Sequence, residues 1–320
     1  MLILYDSKHK KCSEYLIVLS AEKWYNLNND STVQEINMKI CVAGLGIIGG
    51  SLSLALKRAG YEVDGCNRSA LPLEYALNNA IIDRKAEDLL SYDFVFVALP
   101  PKATLEFING NVFKDGAIVS DICGVKKFVE DGVFSRPRNF RFVGCHPMAG
   151  KEVSGIENAC ADLFDGASMI ITKNAFTDGV AYETVKKLVS EMGFGTLVEC
   201  SAEIHDRKIA YTSQLAHVLS NAYVKDGEID CCLGFTGGSF QDMTRIAGVD
   251  ENMWAELFME NSSNVSEKIG TLTASLNEIK CAIDDGDGEK LREVLARGRV
   301  LYEESKKTVQ NSDIFITKLK

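Results

Sequence analysis

Ile40-Cys41-Val42-Ala43-Gly44-Leu45-Gly46-Ile47-Ile48-Gly49-Gly50-Ser51-Leu52 is the stretch on which the fold turns. Four apolar residues read as a strand buried on both faces, a GxGxxG string follows directly, and a helix opens near Gly50-Ser51-Leu52. In that order the first glycine permits a tight turn and the second lets the backbone approach a pyrophosphate. The third lets helix and strand pack closely, and the helix N-terminus attracts the anion. A GxGxxG string alone is weak evidence, and a glycine-rich loop without ligand is the bland alternative. The strand-turn-helix setting favours a dinucleotide-binding turn formed by Gly44, Leu45, Gly46, Ile47, Ile48 and Gly49.

Beyond this stretch, short runs that are apolar throughout recur at Phe94 to Ala98, Ala117 to Val119, Phe140 to Cys145 and Met169 to Ile171. Continuous rather than alternating apolarity suits parallel strands covered on both faces. Between them, Ser51 to Ala59 and Ala181 to Met192 have helical spacing, and each is closed by a glycine. The expected class is α/β, a Rossmann-type doubly wound parallel sheet over residues 38–200. Beyond Cys200 the pattern changes. All five prolines lie at or before Pro147, and Glu203 to Tyr223, Asn252 to Ile283 and Glu289 to Val309 read as long helices. An all-helical substrate and dimerisation domain over 201–320 is therefore expected, with a monomeric bundle as the alternative. The middle helix, about 30 residues against an average near 11 to 12, calls for packing partners beyond its own domain. Residues 1–37 lack Gly and Pro and precede Met38-Lys39-Ile40, which reads like a natural chain start. They are either a weakly ordered extension or a short docked helix around Glu14 to Trp24.

The chain has 320 residues with 45 acidic and 35 basic side chains, a formal charge of −10. Such a balance argues against nucleic acid or an anionic membrane as partner. The longest uncharged stretch, Ile40 to Leu56, is glycine-rich and shorter than the roughly 20 apolar residues that a membrane span needs. Lys8, Lys10 and Lys11 before Tyr15 to Leu19 imitate a signal peptide faintly, but the apolar run is too short and Glu14 and Glu22 flank it. Ten cysteines, none in a CxxC pair, read as reduced thiols of a cytoplasmic protein.

The strand Tyr61 to Cys66 ends in Asn67-Arg68-Ser69, where an NAD-binding fold usually presents an acidic residue to the ribose hydroxyls. Asn67 does not repel a 2′-phosphate, Arg68 offers it a charged fork and Ser69 a hydroxyl. NADP is thus favoured over NAD, unless Arg68 is merely solvated or stacks on adenine. Ligands of open α/β sheets bind beyond the carboxyl ends of the strands. Two clusters stand there, Ser120-Asp121-Ile122-Cys123-Gly124-Val125-Lys126 and His146-Pro147-Met148-Ala149-Gly150-Lys151-Glu152. Proline after His146 keeps that residue's backbone extended. A histidine so placed suits a general base that takes a hydroxyl proton while hydride leaves the same carbon. A structural histidine bonded to a carbonyl is the alternative.

Four motifs together resemble the prephenate/arogenate dehydrogenases of tyrosine biosynthesis, over about Met38 to Glu304. They are Gly44 to Gly49, Ser120-Asp121 with Val125-Lys126, Gly144 to Gly150, and Gly237 to Ala247. The resemblance implies a Rossmann domain followed by a helical dimerisation domain, and an oxidative decarboxylation that needs no metal. It implies that His146 polarises the ring C4 hydroxyl and that Arg245 binds a substrate carboxylate. His217, with Ser213 four residues before it, lines up near the substrate, and Asp121 and Lys126 count with the cofactor-binding residues. Many members carry a serine where this chain has Gly124, so that task is either dispensable or taken by Ser120. Beside the His146 motif, Glu152 suits the ammonium of arogenate, whereas Lys151 suits the two carboxylates of prephenate. His205 with Asp206 is a weaker candidate pair, and His9 reads as solvated. Competing readings are a reductase of another small hydroxy acid or imine on the same plan, and a dinucleotide-sensing dimer without chemistry.

Overall fold

The structure, a computed structural model, describes residues 38–151, 153–307 and 313–319. The expectations for residues 1–37, including His9, and for Glu152 and Val309 lie outside the described residues.

An eight-stranded sheet carries the molecule, in the order β2-β1-β3-β4-β5-β6-β7-β8. Its strands are β1 (Ile40–Ala43), β2 (Val63–Cys66), β3 (Phe94–Val97), β4 (Ile118–Asp121), β5 (Arg141–Pro147), β6 (Ser168–Thr172), β7 (Thr196–Cys200) and β8 (Phe315–Lys318). The first five pair in parallel. The apolar runs are continuous because both faces are covered: Ile40, Val42, Phe94 and Phe96 enter one core cluster, and Cys41, Val95 and Val97 enter the other. Strand alternation thus feeds two layers at once. The covering helices include α1 (Ile47–Arg58), α2 (Ala70–Asn78), α3 (Pro101–Gly110), α4 (Lys127–Phe134) and α5 (Gly179–Glu191). Gly60 and Gly193, just past α1 and α5, have φ of 95° and 94°, the left-handed conformation that ends a helix.

The expected class holds with two departures from a purely parallel sheet. β6 runs antiparallel to β5, with Cys145 opposite Ile171, and β8 runs antiparallel to β7. The second departure also corrects the all-helical reading of residues 201–320. Phe315-Ile316-Thr317-Lys318 is a run of only four residues, too short to outweigh the long helices before it, and its place is decided by the open β7 edge.

The helical half starts with α6 (Ala202–Ile209), a π-helical turn (Ala210–Gln214) and α7 (Leu215–Tyr223), then α8 (Gly238–Thr244), α9 (Glu251–Glu260), α10 (Ser262–Asp284) and α11 (Gly288–Ser305). The single helix expected over Asn252 to Ile283 is broken at Asn261, whose backbone leaves the helix (φ −124°, ψ 25°). Its buried amide donates to the Asp206 carbonyl at 2.8 Å and to Gln214 Oε1 at 2.6 Å. Those bonds satisfy a buried polar group in a way that an uninterrupted helix would not. Among the described residues no helix is long and apolar enough to cross a membrane.

At the carboxyl ends of β4 and β5, Lys126 and Asp121 form an ion pair with both side chains fully buried. The Lys126 ammonium also donates to the Cys145 carbonyl. Burial alone would lower the lysine pKa, but the Asp121 carboxylate outweighs it and holds the ammonium above its ordinary value. Removing one partner of such a pair leaves a buried charge uncompensated, at about 3–5 kcal/mol. Lys126→Met should therefore lose roughly that much in urea unfolding, and the double variant with Asp121→Asn should lose less. Equal loss in both would show that the pair does not hold the strand ends.

Candidate functional site

The glycine turn sits at the switch point of the sheet, where β1 lies between β2 and β3. Gly44 has φ 94°, and a Cβ there would stand 2.4 Å from the Ala98 carbonyl oxygen at the end of β3. A Cβ on Gly49 would stand 1.9 Å from the Gly44 carbonyl oxygen. By contrast, a Cβ on Gly46 would meet nothing within 4 Å, so the middle glycine faces open space. Gly46 is also the N-cap of α1 and gives no side-chain cap, which leaves the first N–H groups of that helix for a ligand. Leu45 N–H donates to Asn67 Oδ1 at 3.0 Å, tying the turn to the end of β2. Ile47 and Ile48 lie half-buried in the first turn of α1.

Beside this turn lies a cavity of about 420 Å3, lined among others by Gly46, Asn67, Leu71, Tyr75 and Glu157. Leu71 and Tyr75 present exposed apolar surface of the kind a base covers. The uncapped helix end, the open space at Gly46 and this apolar wall fit a dinucleotide. Arg68 is exposed and Ser69, the N-cap of α2, makes no side-chain cap. Asn67 is committed internally, its amide nitrogen donating to the Ser69 carbonyl at 3.0 Å.

Three expected site residues lie inside the protein instead. Ser120 is fully buried and donates to the Val143 carbonyl at 2.8 Å, so it is not placed to replace the hydroxyl absent at Gly124. Asp121 and Lys126 are enclosed in their mutual ion pair, and their side chains support the loop between β4 and α4 rather than face a cofactor. Sequence spacing puts them at a strand end, but only the paired charges draw both inward.

His146 is the last residue but one of β5, half-buried. Its Nδ1 is 2.8 Å from Nε2 of His205, and His205 Nδ1 is 2.7 Å from Asp206 Oδ1. The two oxygens of Asp206 also accept the backbone N–H groups of Lys126 at 2.8 Å and Lys127 at 2.9 Å, at the start of α4. Burial, with the nearby His205 and the Lys126 charge, pushes the His146 pKa well below its ordinary value. Burial also lowers that of His205, against the pull of Asp206. Both rings are thus neutral at pH 7. Beside His146, a Cβ on Gly124 would lie 3.7 Å from its Nε2 and 3.4 Å from Leu257 of α9.

From the helical half, His217 on α7 packs against Trp254 of α9 with ring centroids 3.7 Å apart and the rings tilted by 36°, and its Nδ1 lies 3.1 Å from the Ile246 carbonyl. Arg245, at the end of α8, is the residue before that carbonyl and is exposed. Ser220 Oγ donates to the Met243 carbonyl at 2.6 Å, fastening α7 to α8. Trp254 and Leu257 are three apart on one face of α9, so this helix reaches His217 with one and the Gly124–His146 corner with the other. Ser213 lies in the π-helical turn, a form enriched at functional sites that no apolar periodicity announces. Lys151 is exposed, and its ammonium is bonded to the Asn158 carbonyl at 3.0 Å and to Cys160 Sγ at 3.1 Å. The structure therefore brings together His146 with Gly124, and His217 with the Arg245 segment. Sequence reasoning undervalued His205 and Asp206 and missed Trp254, Leu257 and Asn261. An adjacent His-Asp pair on a helix was the one available signal.

With this geometry in hand, comparisons with known proteins agree on one family. The prephenate dehydrogenase nucleotide-binding domain matches residues 52–197, and the prephenate dehydrogenase dimerization domain matches residues 201–297. The chain is 29% identical over 267 residues to the prephenate dehydrogenase of Bacillus subtilis, covering 79% of this chain and 72% of that one. It is 28% identical over 269 residues to the cyclohexadienyl dehydrogenase of Zymomonas mobilis, covering 79% and 91%. A crystal structure of A. aeolicus prephenate dehydrogenase with hydroxyphenyl propionate and NAD+ superposes with a TM-score of 0.73 at 29% identity, covering 83% of this chain and 98% of that one.

The glycine geometry separates two substitutions. Gly46→Ala places a methyl group in the open space and should leave thermal unfolding nearly unchanged while weakening dinucleotide binding, read by reduced-dinucleotide fluorescence. Gly49→Ala drives a methyl group into backbone and should lower the melting temperature as well. Intact binding in Gly46→Ala would remove the turn from the cofactor site.

Proposed function

The chain belongs to the prephenate dehydrogenase family, and on that premise we propose that it oxidatively decarboxylates prephenate, arogenate or both in tyrosine biosynthesis. The observation that carries this reading is His146, at the carboxyl end of β5 on the edge of the sheet where the glycine turn also lies, neutral and hydrogen-bonded from behind by His205. A bound nicotinamide dinucleotide supplies the hydride acceptor. Gly46 and the N-terminus of α1 would hold its pyrophosphate. His146 takes the proton of the ring C4 hydroxyl as the C4 hydride departs. C4 then becomes a carbonyl and an electron sink, the ring carboxylate leaves as carbon dioxide, and the electron pair left behind completes an aromatic phenol. Prephenate yields 4-hydroxyphenylpyruvate in this way, and arogenate yields tyrosine. Arg245 offers a planar fork to a substrate carboxylate, with His217 next to its segment and Ser213 four residues before His217. Lys151 and Glu152 flank the His146 motif as the residues that weigh two carboxylates against an ammonium.

For the cofactor we favour NADP. Arg68 and Ser69 stand exposed after the end of β2, and Asn67-Arg68-Ser69 itself presents no carboxylate to a 2′-phosphate. The carboxylate of Glu157 at the same cavity is the observation that favours NAD instead. A homodimer is supported by the matched dimerization domain and by large apolar side chains left exposed on the helical half, among them Leu233, Phe235, Leu276 and Leu301. The proposed compartment is the cytoplasm.

The test is reduction of NADP and of NAD, each with prephenate and with arogenate. Turnover of at least one combination is expected, and silence of all four with the dinucleotide still bound would leave the sensor reading. His146→Asn should lower kcat by about a hundredfold or more, and Arg245→Ala should act mainly on KM for the acid. Arg68→Ala should weaken NADP selectively; an unchanged NADP to NAD ratio would reject its role. Because His146 protonates only well below pH 6.5, activity should persist down to that pH and fall on further acidification. Gly124→Ser fits the space beside His146 and Leu257 at ordinary contact distances and should raise kcat by restoring the hydroxyl that the family usually carries.

A further inference from the structure

We propose that Asp206 and His205 are positioning residues that set the direction of a proton-ordered chain, leaving Nε2 of His146 as the bare nitrogen that meets the substrate hydroxyl. The inference deepens the dehydrogenase reading and rests on it. Asp206 is almost fully buried, yet both its oxygens face backbone N–H donors, those of Lys126 and Lys127. A carboxylate that accepts two such bonds is an acceptor only. His205, 2.7 Å from Oδ1, must then donate from Nδ1. The ring is neutral, so its Nε2 carries a lone pair and no proton. That lone pair lies 2.8 Å from Nδ1 of His146, where a second lone pair would repel it, so His146 Nδ1 carries the proton. By elimination Nε2 of His146 is free to accept. Without this chain the ring is free to take the other tautomer, in which Nε2 is a donor and useless as a base.

The origin of the orienting groups adds to the argument. His146 belongs to the sheet, whereas His205 and Asp206 belong to the first helix of the helical half. Asp206 grips the start of α4 through its carboxylate, and its carbonyl accepts from Asn261 at the break between α9 and α10. Seating of the helical half on the sheet therefore decides the tautomer of the base. The charged groups facing this chain are Lys126 and Asp121 from the strand ends, besides Asp206 itself.

The chain has only four histidines, so 15N-histidine labelling of the full protein gives resonances assignable by substitution. Long-range 1H–15N spectra of the wild type should show His146 and His205 both protonated at Nδ1. Two replacements then test direction. Glutamine at 205 can accept from His146 through its oxygen and donate to Asp206 through its nitrogen, so His205→Gln should keep the Nδ1–H form of His146 and kcat within about tenfold. His205→Leu cannot do either. It should shift His146 toward the Nε2–H form and lower kcat by about 10²–10⁴-fold, with KM and dinucleotide affinity little changed. A wild-type His146 protonated at Nε2 would overturn the proposal whether or not the enzyme turns substrate over. So would a His205→Leu enzyme with normal kcat, or a His205→Gln enzyme no better than His205→Leu. Silence with both substrates alongside the expected spectra would count against the dehydrogenase reading alone.

Discussion

The buried pairing of Lys126 with Asp121 and the Cys145 carbonyl holds the carboxyl end of the sheet in the form that the site requires. An ammonium in that position has no water to solvate it, so it persists only because a carboxylate and a carbonyl oxygen meet it. The consequence is geometric. Asp121 ends β4, Cys145 immediately precedes His146, and one side chain binds them both. The turn between Asp121 and Lys126 is thereby drawn inward, which brings Gly124 against the His146 ring. The same turn delivers the backbone N–H groups of Lys126 and Lys127 to Asp206.

The helical half completes the site from the opposite side. Asp206 anchors it to the start of α4 with two hydrogen bonds and Asn261 ties the α9–α10 break to Asp206, while α9 reaches Gly124 through Leu257 and His217 through Trp254. Glu256 of the same helix accepts from Lys102 N–H at 2.6 Å, and Glu260 pairs with the Lys102 ammonium at 3.3 Å. These two contacts are exposed and individually weak. The buried ones are not, because an unpartnered amide or carboxylate there has no solvent to turn to. Seating of α9 and the orientation of His146 are therefore linked through shared residues rather than through distance.

How much was legible in the sequence differs from residue to residue. Gly44, Gly46 and Gly49 announced themselves, since steric limits on a turn before a helix are local and their spacing is invariant to what surrounds them. The apolar strand runs were equally plain, because both faces being covered suppresses alternation. Ser120 misled: a hydroxyl at a strand end looks available, yet strand alternation turned it to the Val143 carbonyl. The break at Asn261 was hidden for a related reason. Asn is tolerated within a helix, and only the buried carbonyl of Asp206 and the amide oxygen of Gln214 make leaving the helix favourable. The strand Phe315–Lys318 escaped because four residues carry little pattern by themselves.

Sequence alone was enough for the α/β class, the glycine turn after β1 and the histidine at the end of β5, since each depends on spacing along a single element. Tertiary structure alone decided that Asp121 and Lys126 are an internal pair and that α9 spans from His217 to the Gly124 corner. It alone stands His205 and Asp206 behind His146 in an order that fixes its protons. Those features join residues of different elements, His146 and His205 being 59 positions apart, or turn side chains toward or away from water. Burial and hydrogen-bond partnership, the quantities that set charge and tautomer, exist only once the distant segments have met.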